Sequence, residues 1–103
     1  MKMIAAIVQE EDTDELLNAL VEMGFRATKI QTTGGFLRAN NNLILIGVEP
    51  EKVDEVIEVI RSHCRSRTQW VQPHEAPCLA SPLEVHIGGA MVFVWDLERA
   101  EKL

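Results

Sequence analysis

The chain has no tyrosine, two tryptophans and three phenylalanines, so aromatic residues make up only 5% of its 103 positions. A core built from this composition must be aliphatic. Cysteine is equally sparse. Cys64 and Cys78 are too few for a disulfide scaffold, neither sits in a CxxC, and their spacing fits no zinc motif. The three histidines, His63, His74 and His86, are scattered, with no HExxH and no His-x-His, so no metal site is expected. No apolar run approaches the ~20 residues needed to span a bilayer. The opening Met1–Val8 run is short and meets Glu10, Glu11 and Asp12 with no small-residue cleavage site, so it does not read as a signal peptide. Basic residues are outnumbered 10 to 16, giving a net charge of -6. Taken whole, that argues against a general binder of nucleic acid or anionic membrane. Walker A and GxGxxG patterns are absent. The carboxylate cluster Asp12, Asp14 and Glu15 reads as the first turn of a helix, and no Ser or His stands in a nucleophilic pattern. Catalysis is therefore not expected.

What is present is enough for one domain over residues 1–103, cytoplasmic by its thiol usage, with 47% hydrophobic residues. Met3 to Val8 predicts a buried strand. Asp12 or Thr13 offers an N-cap, and Leu16, Leu17, Leu20 and Val21 mark one face of a helix ending at Gly24. Phe25 to Thr33 reads as a second strand, with Arg26, Thr28, Ile30 and Thr32 on one face. Gly34-Gly35 interrupts it, and Asn40-Asn41-Asn42 reads as a turn. Leu43 to Val48 predicts a third strand, and Pro50 opens a second helix running to about His63 or Cys64. A short fourth strand is expected at Thr68 to Val71, then a Pro-rich loop over Pro73 to Pro82. Leu83 to Val94 is a strand pattern with a bulge or bend at Gly88-Gly89, and Asp96 to Leu103 a short terminal helix. This order is a split βαβ, or ferredoxin-like, α+β fold: an antiparallel sheet with both helices on one face. The other face is apolar and needs cover, which predicts a closed oligomer.

The charges are segregated. No acid occurs from Met23 to Val48, a segment that carries Arg26, Lys29 and Arg38 and is +3 in a protein that is -6. A second acid-free stretch, Val59 to His74, holds Arg61, Arg65 and Arg67. The first segment adds Thr28, Thr32, Thr33 and Gly34-Gly35. Guanidinium, hydroxyl and glycine-exposed N–H groups together suit an anion, phosphate in particular. Phe36 beside the turn reads either as a core aromatic or as a stacking surface for a base.

The blocks Phe25-Arg26-Ala27-Thr28-Lys29 and Thr32-Thr33-Gly34-Gly35-Phe36-Leu37-Arg38-Ala39, with Gly88-Gly89-Ala90 and Val92-Phe93-Val94, resemble the PII-like cyclic di-AMP receptor family of bacteria. The opening Met3–Gln9 run and the Val53-Asp54-Glu55 helix start match it too, so the resemblance covers nearly the whole chain. It implies a PII-like signal-transduction subunit in a homotrimer, with cyclic di-AMP bound between subunits and no cofactor. Carried over by position, Arg26 and Thr28 would face the phosphates with Ala27 beside them. Gly35, Phe36 and Leu37 would line the pocket, Asn41 and Gly47 would hydrogen-bond a base edge, and Phe93 would close it from a neighbouring subunit. The chain departs from the family at Gly24, where Asn is usual, at Asn40 and Asn42, at Lys102, where Gln is usual, and in a shorter 73–82 loop. Those departures motivate a second expectation: a PII-like trimer whose ligand is altered or lost and which acts through a protein partner.

Overall fold

The computed structural model describes residues 1–31, 41–74 and 80–103. Its first strand, β1 (Lys2–Gln9), runs directly into helix α1 (Glu10–Glu22). The helix begins earlier than the Asp12 or Thr13 cap predicted. Gln9 takes the extended cap conformation, and the Thr13 hydroxyl donates to the Gln9 carbonyl at 2.8 Å. Thr13 is thus spent inside the first turn, while Glu10, Glu11 and Asp12 sit at the positive end of the helix dipole. Gly24 ends the helix as expected. Its φ of 89° lies in the left-handed region, where the Gly24 and Phe25 amides return to the carbonyls of Val21 and Leu20.

Strand β2 (Ala27–Gln31) is followed by β3 (Asn41–Val48), a short 3-10 turn at Pro50–Lys52 and helix α2 (Val53–His63). The predicted Asn turn is corrected here: Asn41 and Asn42 belong to β3. Asn42 is 1% exposed, and its Nδ2 donates to Glu10 Oε2 at 2.6 Å and to Thr13 Oγ1 at 2.8 Å. Those two acceptors make a buried amide tolerable and let the strand start two residues early.

Beyond α2 come β4 (Arg67–Val71), β5 (Leu83–Ile87) and β6 (Ala90–Asp96). The main sheet has the order β2-β3-β1-β6, antiparallel throughout. This is the ferredoxin-like arrangement, but its fourth strand is β6 and not the Thr68 to Val71 segment. That segment lies in β4, which pairs with β5 in a separate two-stranded arm. The Leu83 to Val94 pattern is therefore divided between two sheets. The break falls at Gly88 and Gly89, whose φ values of 81° and 80° turn the chain from one to the other. The predicted terminal helix is absent. The Leu97 amide instead donates to the Met1 carbonyl at 3.0 Å, carrying the β1–β6 pairing onward. Lys2 pairs with Asp96 at the same end, and its hydrogen bond and charge hold that carboxyl below the usual carboxylate range.

The core lies between the sheet and both helices. Ile4, Ala6, Val8, Ile44, Ile46 and Val48 from the sheet meet Leu16 and Leu20 of α1 and Val56 and Ile60 of α2, all buried. Among the described residues its buried members include no aromatic side chain, and Phe25 packs at its margin. Two contacts from the β1–α1 junction hold the root of the arm. Gln9 Oε1 accepts the Gly88 amide at 2.8 Å, and buried Asp12 pairs with Arg67 at 3.1 Å. No helix among the described residues is long and apolar enough to cross a membrane.

Candidate functional site

The sheet face turned away from the helices is set by the alternation of β1. Ile4, Ala6 and Val8 point to the core, so Met3, Ala5 and Ile7 point outward. The register places their neighbours in rows. One row is Thr28, Leu45, Ala5 and Phe93, and the next is Ile30, Leu43, Ile7 and Met91. Met91, Phe93 and Trp95 on β6 are 55%, 44% and 45% exposed. Three consecutive outward side chains of an edge strand are thus large, apolar and uncovered in the single chain. Two predicted site residues, Thr28 and Phe93, share a row at opposite edges of this face. Ala27 lies on the other side of β2, where it packs against the core.

The remaining predicted residues that the structure describes, Arg26, Asn41 and Gly47, fall at two ends of β3. At one end a cleft of about 300 Å³ is lined by Phe25, Arg26, Gly47, Glu49 and Lys52. Arg26 is exposed and forms no ion pair with a described residue, so its guanidinium is available to an external anion. Gly47 is exposed on its strand, and the absence of a side chain there permits close backbone approach. At the other end a cavity of about 330 Å³ is lined by Ile7, Gln9, Asn41, Ser66, Gly88 and Gly89, among others. Six strand positions separate Asn41 from Gly47, roughly 20 Å at strand rise. The fold therefore brings Arg26 and Gly47 together and sets Asn41 apart from them. Gly35, Phe36 and Leu37 lie outside the described residues, as do Asn40 and Cys78.

A third depression, about 740 Å³ between α2 and β6, contains none of the predicted site residues. Cys64 lies in its lining and is 3% exposed. Burial pushes its thiol up to about 11, the Asp12 carboxylate adding to the rise and Arg67 opposing it. The thiol is thus protonated and poorly nucleophilic at neutral pH. Asp12 acts as the anchor of Arg67, and its second oxygen is buried without a described partner. Among the described residues, no group of three or more His, Cys, Asp or Glu is arranged to hold a metal.

Sequence reasoning missed Gln9 and Lys52. Gln9 is a polar residue closing an apolar strand, and only the β1–β3 register shows that it stands opposite Asn41. Lys52 carried a faint signal as the basic residue after Pro50, yet its place beside Arg26 depends on how the 3-10 turn folds back.

An antiparallel ferredoxin-like chain with an apolar outer sheet face, and with an arginine that has no ion pair among the described residues beside an exposed strand glycine, is the frame of a PII-like ligand-binding protein. The family model described as cyclic-di-AMP receptor matches residues 1–103, and the chain belongs to that family. Among solved structures, a functionally unknown protein from Pediococcus pentosaceus ATCC 25745 is 36% identical. That match covers 99% of this chain and 96% of the other, with a TM-score of 0.80.

Proposed function

We propose that the protein is a cytoplasmic, non-catalytic signalling receptor that binds cyclic di-AMP in the clefts of a homotrimer and passes that signal to a protein partner. The observation that carries this reading, beside the family match, is the division of the candidate site. Arg26 and Gly47 line one end of β3, while Asn41 lines the other. A cleft between two copies can combine complementary ends that one chain keeps apart. The outer sheet face supports the same assembly, because its row of Met91, Phe93 and Trp95 is exposed in the single chain.

Each assigned residue has a chemical role. Cyclic di-AMP is a dianion with two purines. Arg26 donates charge-assisted hydrogen bonds to a phosphodiester oxygen, and the Thr28 hydroxyl adds a neutral one. Ala27, its side chain turned to the core, would offer the ligand only its backbone, and Gly35, Phe36 and Leu37 follow in sequence, with Phe36 suited to stacking on a base. Asn41 and the Gly47 backbone meet base edges, and Phe93 of a neighbouring copy closes the cleft. A ligand held this way signals only through contacts that differ between two states of the trimer.

Calorimetry with cyclic di-AMP tests the reading, with ATP, ADP and AMP as controls. The wild type should bind the cyclic dinucleotide, and Arg26→Ala should weaken it by about 1.5–3 kcal/mol, the loss of one charged hydrogen bond. No binding at about 100 µM ligand, weaker than -5.5 kcal/mol, would sink it. Retention of a protein partner by the Arg26→Ala variant would then favour a trimer that has lost this ligand.

A further inference from the structure

We infer that Gln9 is a base-contacting residue and that its side chain ties a bound nucleotide to the root of the β4–β5 arm. This rests on the cyclic di-AMP reading above and adds a residue that the sequence did not assign. Gln9 and Asn41 are direct partners in the β1–β3 register and lie on the outer face of the sheet. Directly opposed residues of antiparallel strands bring their Cβ atoms to about 4.5–5.5 Å. Both line the cavity of about 330 Å³, whose wall also includes Ile7 and Met91. Apolar side chains beside two carboxamides suit a purine, which presents apolar faces and a polar edge.

The orientation of the Gln9 amide follows from its partner. Gly88 offers an N–H, so the atom that meets it at 2.8 Å must be the acceptor, Oε1. The Nε2 hydrogens make no hydrogen bond to a described residue. They remain for a ring nitrogen of a base, an acceptor of the right kind. Gly88 is also the pivot of the arm. Its φ is +81°, and a Cβ there would stand 2.2 Å from the Arg65 carbonyl oxygen, so the backbone is closely seated. A base that fixes Nε2 thereby fixes Oε1 on the Gly88 amide, and with it the turn from β5 into β6.

Two variants of the full chain separate the two roles. Gln9→Glu keeps an acceptor for Gly88 and removes the donor. Gln9→Leu removes both. Calorimetry with cyclic di-AMP should show affinity falling about tenfold in Gln9→Leu, the loss of roughly one hydrogen bond, and still about tenfold in Gln9→Glu at high salt, where repulsion between its carboxylate and the dianion is screened. Hydrogen exchange should show the Gly88 amide protected in the unliganded wild type and in Gln9→Glu, and unprotected in Gln9→Leu. In the wild type, ligand should slow that exchange further. A purely structural role predicts instead that affinity follows Gly88 protection, with Gln9→Glu binding like the wild type once high salt screens its carboxylate from the dianionic ligand, and that result overturns the assignment. So does wild-type affinity in both variants. Failure of the wild type itself to bind would bring down the ligand reading first, which is a different result.

Discussion

Asn42 shows how one side chain can set an element boundary. Its buried amide meets Glu10 and Thr13, both in the first turn of α1, while Glu10 also approaches Lys29 of β2 at 3.9 Å. One polar cluster therefore fastens the start of β3, the start of α1 and a residue of β2. Replacing Asn42 with Leu would fill similar volume but remove both donated bonds and leave the buried Thr13 oxygen against apolar surface, while the exposed Glu10 carboxylate turns to water. Asn42→Leu should lose about 1–3 kcal/mol of unfolding free energy in urea titration, with an unchanged m-value. Three consecutive asparagines signal a turn to any reading by local preference, because Asn side chains compete for the backbone in turns. The competing information, two acceptors waiting on a helix about thirty residues upstream, is tertiary and leaves no mark on the local pattern.

The elements divide along the same line. β1, α2 and the greater part of α1 and β3 follow from apolar periodicity, because each buries a face against the same aliphatic core. Gly24 and Pro50 punctuate the chain where left-handed backbone and a first-turn position need them. The arm was legible only in pieces. Arg67–Val71 has strand character, but nothing local tells whether it joins the main sheet or leaves it. The decision lies at the root, with the Asp12–Arg67 pair, the Gln9–Gly88 bond and two glycines of positive φ. Gly88 is the position where substitution should hurt most, since an added Cβ meets the Arg65 backbone and a left-handed φ costs a further 1–3 kcal/mol in order of magnitude. For Gly88→Ala, hydrogen exchange should rise across Arg67–Val71 and Leu83–Ile87 while the β1 and β3 amides stay protected. Uniform loss of protection would mean that the arm and the main sheet open as one unit. The candidate site was legible in the same uneven way: Arg26 and Thr28 stand in an acid-free block that any phosphate argument would find, whereas Gln9 acquires meaning only through its register partner.

At the scale of the molecule, the net charge and the site charge have opposite signs because the acids cluster on the helices and the C-terminal segment while Arg26 sits on the sheet side. The arm also shows in the dimensions. The radius of gyration is 16.2 Å and the principal extents are 54 × 26 × 20 Å, against about 13 Å for a compact chain of this length. On the proposed assembly, the apolar sheet face of this extended chain would pack against its copies. Sedimentation at micromolar concentration should give about three times the 11.6 kDa chain mass. Leu45→Asp, at the centre of the outer face, should shift the protein toward monomer with its circular dichroism retained. A monomeric wild type would remove the shared clefts on which the proposed function depends. The pairing of β1 with β6 has one more consequence, for synthesis. A chain leaving the ribosome makes β1 first, yet β1 stays bare along one edge until residues 90–96 emerge to cover it. Exposed strand edges of that kind invite mispairing. The arm shortens the exposure: it can zip as a local hairpin, and once zipped it delivers Gly88 and Ala90 close to the end of α2, so the final closure spans a few residues in place of the whole insertion. A chain whose arm pairs first would therefore have only a short loop left to close before β6 covers that edge.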